Sequence, residues 1–153
     1  MNCQHEIRIK DYKVFVFDLD DTLYLHKVES EYREEYTAKI RELLYSLKRR
    51  GKIVCLATHN KLPYHYLDKM NIYDVFHEII YERRNVNPRI HSIYEYTSKR
   101  DMIKEIVERT NVLNEDVVFF DDHEYNINEV KSLGIESVYI SSKTGIIIDK
   151  IVM

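Results

Sequence analysis

The chain is 153 residues long, with 26 acidic and 23 basic side chains and a formal charge of −3. That length suits a single domain over residues 1–153, and 44% hydrophobic residues supply a core, which excludes a disordered chain. Mild acidity excludes the basic field that non-specific nucleic-acid binding requires, while leaving room for one phosphate-bearing ligand held at a local site.

The segment Met1 to Lys10 has no apolar stretch of signal-peptide kind. Lys13-Val14-Phe15-Val16-Phe17 is a short β-branched and aromatic run, which predicts a strand buried on both faces. Ser30 to Arg50 predicts a helix with Tyr36, Ile40, Leu43, Leu44 and Leu47 on one stripe, acids in its first turns, bases in its last, and Gly51 as its stop. Ile53 to Ala57 is a second buried strand, and Leu62 to Met70 a shorter helix. Glu78 to Tyr81 is a third strand. Glu82 to Tyr96, with Asn87-Pro88 as a turn signal, is a long loop. Ser98 opens a helix reaching Arg109, with Asp101 three residues on in a capping-box-like pattern and Met102, Ile103, Ile106 and Val107 inward. Val117 to Phe120 is a strand, Tyr125 to Leu133 a helix ended by Gly134, and Ser137 to Ile140 the last strand.

Short buried strands alternating with helices predict an α/β fold with a central parallel sheet covered on both faces. No run approaches about 18 apolar residues, so no membrane contact is expected. Gly51, Gly134 and Gly145 are too far apart for a Walker loop or a GxGxxG turn, and no GxSxG elbow is present. Of two cysteines, Cys55 lies in an apolar run and reads as a buried free thiol, which suits a reducing, cytoplasmic setting.

In parallel sheets of this kind, ligands sit beyond the carboxyl ends of the strands. After the first strand comes Asp18-Leu19-Asp20-Asp21-Thr22, after the second Thr58-His59-Asn60, near the third helix start Lys99, and after the fourth strand Asp121-Asp122. Carboxylates, a hydroxyl and an ammonium on one edge are the inventory for metal-assisted phosphoryl transfer. Two like charges 4 Å apart repel by about 4 kcal/mol at an effective dielectric of about 20. Asp18, Asp20, Asp121 and Asp122 therefore need cations before they can accept a phosphate. Mg²⁺ prefers such oxygen ligands, and Lys99 adds positive charge. Lys99 also stands at the first position of its helix, where a cation opposes the dipole, and a broken local rule points to function. Thr58 offers a hydroxyl, and the backbone amides beginning at Leu19 an anion nest. Asp18 is the expected nucleophile and Asp20 the general acid, then base. Thr22 is expected to hydrogen-bond the turn, and Asp21 to be a solvated turn residue.

Val16-Phe17-Asp18-Leu19-Asp20-Asp21-Thr22-Leu23 resembles the first motif (DxDxT) of the haloacid dehalogenase superfamily. Thr58, Lys99 and Asp121-Asp122 follow in the order of its other three motifs. Ser98-Lys99 and the stretch Phe119 to Ile127, with Leu133-Gly134-Ile135 after it, resemble the magnesium-dependent phosphatase family, a branch without a cap domain. The resemblance implies an α/β, three-layer Rossmann-like fold with a central parallel sheet, no cap domain and a strand order near 5-4-1-2-3. It also implies Asp18, the Asp20 backbone carbonyl and Asp121 as Mg²⁺ ligands, with Asp122 acting through water. His59 departs from the family, which carries Arg or a similar residue after the second-motif hydroxyl, so that family's phosphotyrosine and phosphosugar substrates are not carried over.

The leading expectation is a Mg²⁺-dependent phosphatase with an open site, acting on a phosphoprotein, phosphosugar or other monoester, including a nucleic-acid end, as a monomer or weak dimer. One alternative is a receiver-like phosphate-accepting module, whose acceptor Asp would follow the third strand, where Tyr81-Glu82 stands. The other is a non-catalytic binding protein of the same fold.

Overall fold

Apolar runs without polar alternation are satisfied only between two covering layers. The computed structural model, which describes residues 4–82 and 98–153, is built in that way. In chain order the elements are β1 (Ile7–Arg8), β2 (Val14–Phe17), α1 (Ser30–Arg49), β3 (Ile53–Thr58), α2 (Pro63–Met70), β4 (Glu78–Tyr81), α3 (Lys99–Thr110), β5 (Val117–Asp121), α4 (Glu124–Lys131), β6 (Glu136–Tyr139) and β7 (Ile151–Val152). The main sheet has five parallel strands in the order β4-β3-β2-β5-β6. Counting only the five strands read from the sequence, this is the expected 5-4-1-2-3 order.

Alternation along the strands divides the core into two layers. Phe15 and Phe17 of β2, Leu56 of β3 and Phe120 of β5 face α1 and α2, where Ile40, Leu44, Leu47 and Leu67 are fully buried. Val14, Val16, Cys55 and Phe119 face the other way, onto Met102, Ile103 and Ile106 of α3 and Ile127 and Val130 of α4. Phe17 and Phe120 stack across neighbouring strands at 4.9 Å between centroids. The helix ends follow the sequence signals. Gly51 and Gly134 take left-handed backbone after α1 and α4, and the Ser98 hydroxyl accepts the Asp101 N–H at 3.2 Å. β3 and β5 run one residue past the apolar runs. Thr58 and Asp121 are polar, yet they remain in register with Tyr81 and Tyr139.

Cys55 is buried and free, and burial pushes its thiol up to about 12. Beyond Glu82, the Glu82–Tyr96 loop lies outside the described residues, as do Cys3, Tyr94 and Tyr96. Among the described residues, no helix is long and apolar enough to cross a membrane.

The sequence reading contained no counterpart of the small second sheet, in which β1 and β7 pair in parallel through Ile7 with Ile151 and Arg8 with Val152. Two-residue strands carry no periodicity to read. Nearby, the Gln4 side chain accepts from the Ile147 N–H at 2.7 Å and donates to its carbonyl at 3.1 Å. The buried Tyr36 of α1 extends this tie inward: its hydroxyl donates to the Thr22 carbonyl at 2.6 Å and accepts the Ile146 N–H at 2.8 Å. Its ring leaves no space at Gly145. There φ is +73°, and an added Cβ would come within 2.3 Å of the ring. Left-handed backbone costs a non-glycine residue about 1–2 kcal/mol, and overpacking adds about 1–3 kcal/mol. Gly145→Ala is therefore expected to lower unfolding free energy by about 2–5 kcal/mol in urea titration. An unchanged urea midpoint would show that the ring moves aside freely.

Candidate active site

The four stretches singled out in the sequence meet at the carboxyl edge of β2, β3 and β5. Asp18 follows the central strand, and its N–H donates to the Phe120 carbonyl of β5 at 2.9 Å. That bond brings Asp18 alongside Asp121, at the end of β5. Between their carboxylates lies the Lys99 ammonium, 2.7 Å from Asp18 Oδ1 and 2.8 Å from Asp121 Oδ2. All three are buried, Lys99 being only 1% exposed. Thr22 Oγ1 donates to Asp18 Oδ2 at 3.2 Å, the local turn contact expected of it. Asp121 is held further by the His123 N–H on Oδ1 (2.9 Å) and by Asn126 Nδ2 on Oδ2 (3.1 Å).

Asp122 completes a group of three carboxylates. Asp18, Asp121 and Asp122 each offer an oxygen within 4.8 Å of the others, and Asp122 Oδ1 is buried with no hydrogen-bond partner among the described residues. The electrostatics report the same crowding. Burial, with Asp18 and Asp121 close by, pushes Asp122 up to about 8. Burial also raises Asp18, against the opposing pull of Lys99. Burial works against the Lys99 charge, but Asp18 and Asp121 outweigh it and hold the ammonium above the ordinary lysine value. One ammonium does not neutralise three crowded carboxyl groups, two of them buried, and the excess raises Asp18 and Asp122 above the ordinary carboxyl value. Once their protons are displaced, the three carboxylates are hard oxygen donors of the kind that suits Mg²⁺ or a similar ion.

The other predicted residues lie around this cluster. The Asp20 carboxylate lies outside that group of three; it accepts from Asn60 Nδ2 at 3.1 and 3.2 Å and meets His26 Nε2 at 2.6 Å. Thr58 is fully buried and its hydroxyl accepts the Asn60 N–H at 3.0 Å. The Leu19 side chain is in the core, so its backbone is what it can offer; its carbonyl accepts from Thr22, Leu23 and Tyr24 and closes the turn. Asp21 is more than a solvated turn residue. It holds left-handed backbone at φ 62°, and its Oδ1 accepts the His26 N–H at 3.0 Å. His59 lies 3.5 Å from Glu82, with its side chain 40% exposed. Tyr81 packs edge-on against Tyr64.

Sequence reasoning missed His26, Asn60 and Asn126 as neighbours of the carboxylates. Asn60 and Asn126 stand within the quoted motif stretches, and a short amide beside a strand-end carboxylate was the available signal. His26 had none.

A parallel sheet in this order, with acidic, hydroxyl and ammonium groups on its carboxyl edge, is of haloacid dehalogenase-like type. The Acid Phosphatase family model matches residues 36–152, and the chain belongs to that family. No curated protein matches the chain. Solved structures share its fold. The N-terminal part of a Bacteroides fragilis protein, containing a phosphatase domain and complexed with Mg, is 17% identical with a TM-score of 0.68; the match covers 92% of this chain and 39% of that one. The chain thus corresponds to well under half of that relative. A haloacid dehalogenase-like family hydrolase from Streptococcus pneumoniae is 14% identical with a TM-score of 0.62, over 92% of this chain and 90% of that one. A β-phosphoglucomutase from Clostridium difficile is 14% identical with a TM-score of 0.57, over 82% and 83%.

Proposed function

We propose that the chain is a Mg²⁺-dependent phosphatase that hydrolyses phosphate monoesters through an aspartyl phosphate on Asp18. The observation that carries this reading is the buried Asp18 carboxylate, oriented by Lys99 and Thr22 and set beside two further carboxylates at the end of the central strand. Asp18, Asp121 and Asp122 would hold the ion with the Asp20 carbonyl, and the orphaned Asp122 oxygen supports that assignment. When bound, the ion supplies the positive charge that lets a phosphate dianion approach this acidic edge.

In the first step an Asp18 oxygen attacks phosphorus, and the P–O bond to the leaving group breaks. The departing alkoxide takes a proton from Asp20. In the second step Asp20 takes a proton from water, whose oxygen attacks the phosphorus. The acyl P–O bond then breaks, releasing inorganic phosphate and the Asp18 carboxylate. Lys99, Thr58 and the backbone beginning at Leu19 bind the phosphoryl oxygens. In this reading residues 1–153 act as one domain in the cytoplasm. The loop after β2, α1 and β3 takes up the chain from Asp18 to Thr58, which supports an open site without a lid there.

Phosphate release from para-nitrophenyl phosphate tests the reading. Turnover is expected with Mg²⁺, is expected to stop in EDTA, and to return when Mg²⁺ is restored. No release under any of these conditions, or equal rates with and without EDTA, overturns it.

A further inference from the structure

The contacts around Asp20 carry an inference that rests on the proposed function and goes beyond it. We propose that His26 is a positioning residue, which together with Asn60 holds the Asp20 carboxylate on the leaving-group side, away from the three-carboxylate cluster. His26 Nε2 lies 2.6 Å from Asp20 Oδ1, and Asn60 Nδ2 reaches both Asp20 oxygens. Neither partner is a loosely solvated side chain. The His26 N–H donates to Asp21 Oδ1, and Arg33 grips the carbonyls of Leu25, His26 and Val28. The His26 ring meets the edges of Tyr24 at 4.8 Å and Tyr66 at 5.5 Å. Asn60 is fixed by its own turn, its N–H on Thr58 Oγ1 and its Oδ1 accepting the Leu62 N–H at 2.8 Å.

A surface histidine restrained at its backbone, its carbonyl and its ring has lost the rotamer freedom that weakens most exposed side-chain contacts. The charges explain what the clamp opposes. Asp20 is two residues from Asp18, and a rotamer turned inward would add a fourth carboxylate to a cluster already short of cations. Held outward, the carboxyl stays where a departing oxygen can take its proton. The effect of the clamp should therefore scale with how much the leaving group needs that proton. Para-nitrophenolate leaves as a stable anion, whereas an alkoxide does not.

The test compares kcat and KM for para-nitrophenyl phosphate and β-glycerophosphate. His26→Phe keeps the ring contacts and removes the nitrogen that meets Asp20; His26→Gln returns a polar amide that can donate or accept there. For His26→Phe, kcat on β-glycerophosphate is expected to fall at least about tenfold more than kcat on para-nitrophenyl phosphate, with KM for both esters within about threefold of wild type. His26→Gln is expected to recover most of the difference. If thermal melting shows that His26→Phe does not fold, His26→Asn, whose amide is too short to reach Asp20, is expected to show the same ester-dependent loss. Equal losses on both esters, no loss, or a Gln variant no better than Phe overturn the clamp alone. A wild-type chain inactive on both esters overturns the phosphatase reading, and the clamp falls with it.

Discussion

Asp18→Asn is expected to lower phosphate release from para-nitrophenyl phosphate by at least about 10⁴-fold, the scale seen when a nucleophile is removed. The amide oxygen can still accept from Lys99, and the amide N–H₂ can donate to the Thr22 hydroxyl, so the turn survives. Asp18 is also a carboxyl group that burial disfavours in its charged form. Its neutral replacement is therefore expected to melt no lower than wild type. Steady-state kinetics beside a thermal melt check both halves. Wild-type turnover in a folded Asp18→Asn protein would remove Asp18 from the chemistry.

Lys99→Met is expected to act on stability as strongly as on rate. The substitution removes the single ammonium between two carboxylates that are themselves buried. Breaking a buried pair by removing one partner costs about 3–5 kcal/mol. For a chain of this size that corresponds to a fall of about 6–20 °C in Tm. The phosphate would also lose its fixed cation, so KM should rise. Asp18→Asn and Lys99→Met thus separate cleanly: the first removes turnover and keeps the fold, the second erodes both. A Lys99→Met protein with an unchanged melting temperature would mean that water or protons neutralise the carboxylates without help from the ammonium.

Much of this arrangement was legible in the sequence, and for identifiable reasons. Uninterrupted apolar runs such as Val14–Phe17 and Val117–Phe120 can only be central strands of a covered sheet, so the residues that follow them were placed on one edge. Lys99 stood out because a cation in the first turn opposes its own helix; in the structure that helix start delivers it, buried, between Asp18 and Asp121. His26 was not legible. Its approach to Asp20 depends on a tight turn through Asp21 in left-handed backbone and on the grip of Arg33 from α1, neither of which leaves a periodic trace. The β1–β7 pairing was equally hidden, because it joins residues from opposite ends of the chain. Asp122 was expected near the cluster, but its unpartnered oxygen is a property of packing that no spacing rule contains.

The Tyr36 hydroxyl, shared between Thr22 and Ile146, has a consequence for biosynthesis. A ribosome delivers Asp18, Thr22 and Tyr36 early, whereas Ile146 emerges 110 residues after the tyrosine. Until then the turn after Asp18 lacks its tie through Tyr36 to Ile146, and Asp18 also waits for β5 to arrive beside it. The Asp18 carboxylate is thus set in place only after β5 and Ile146 have been made, so a nascent chain that stops short of them is not expected to hold Asp18, Lys99 and Asp121 together.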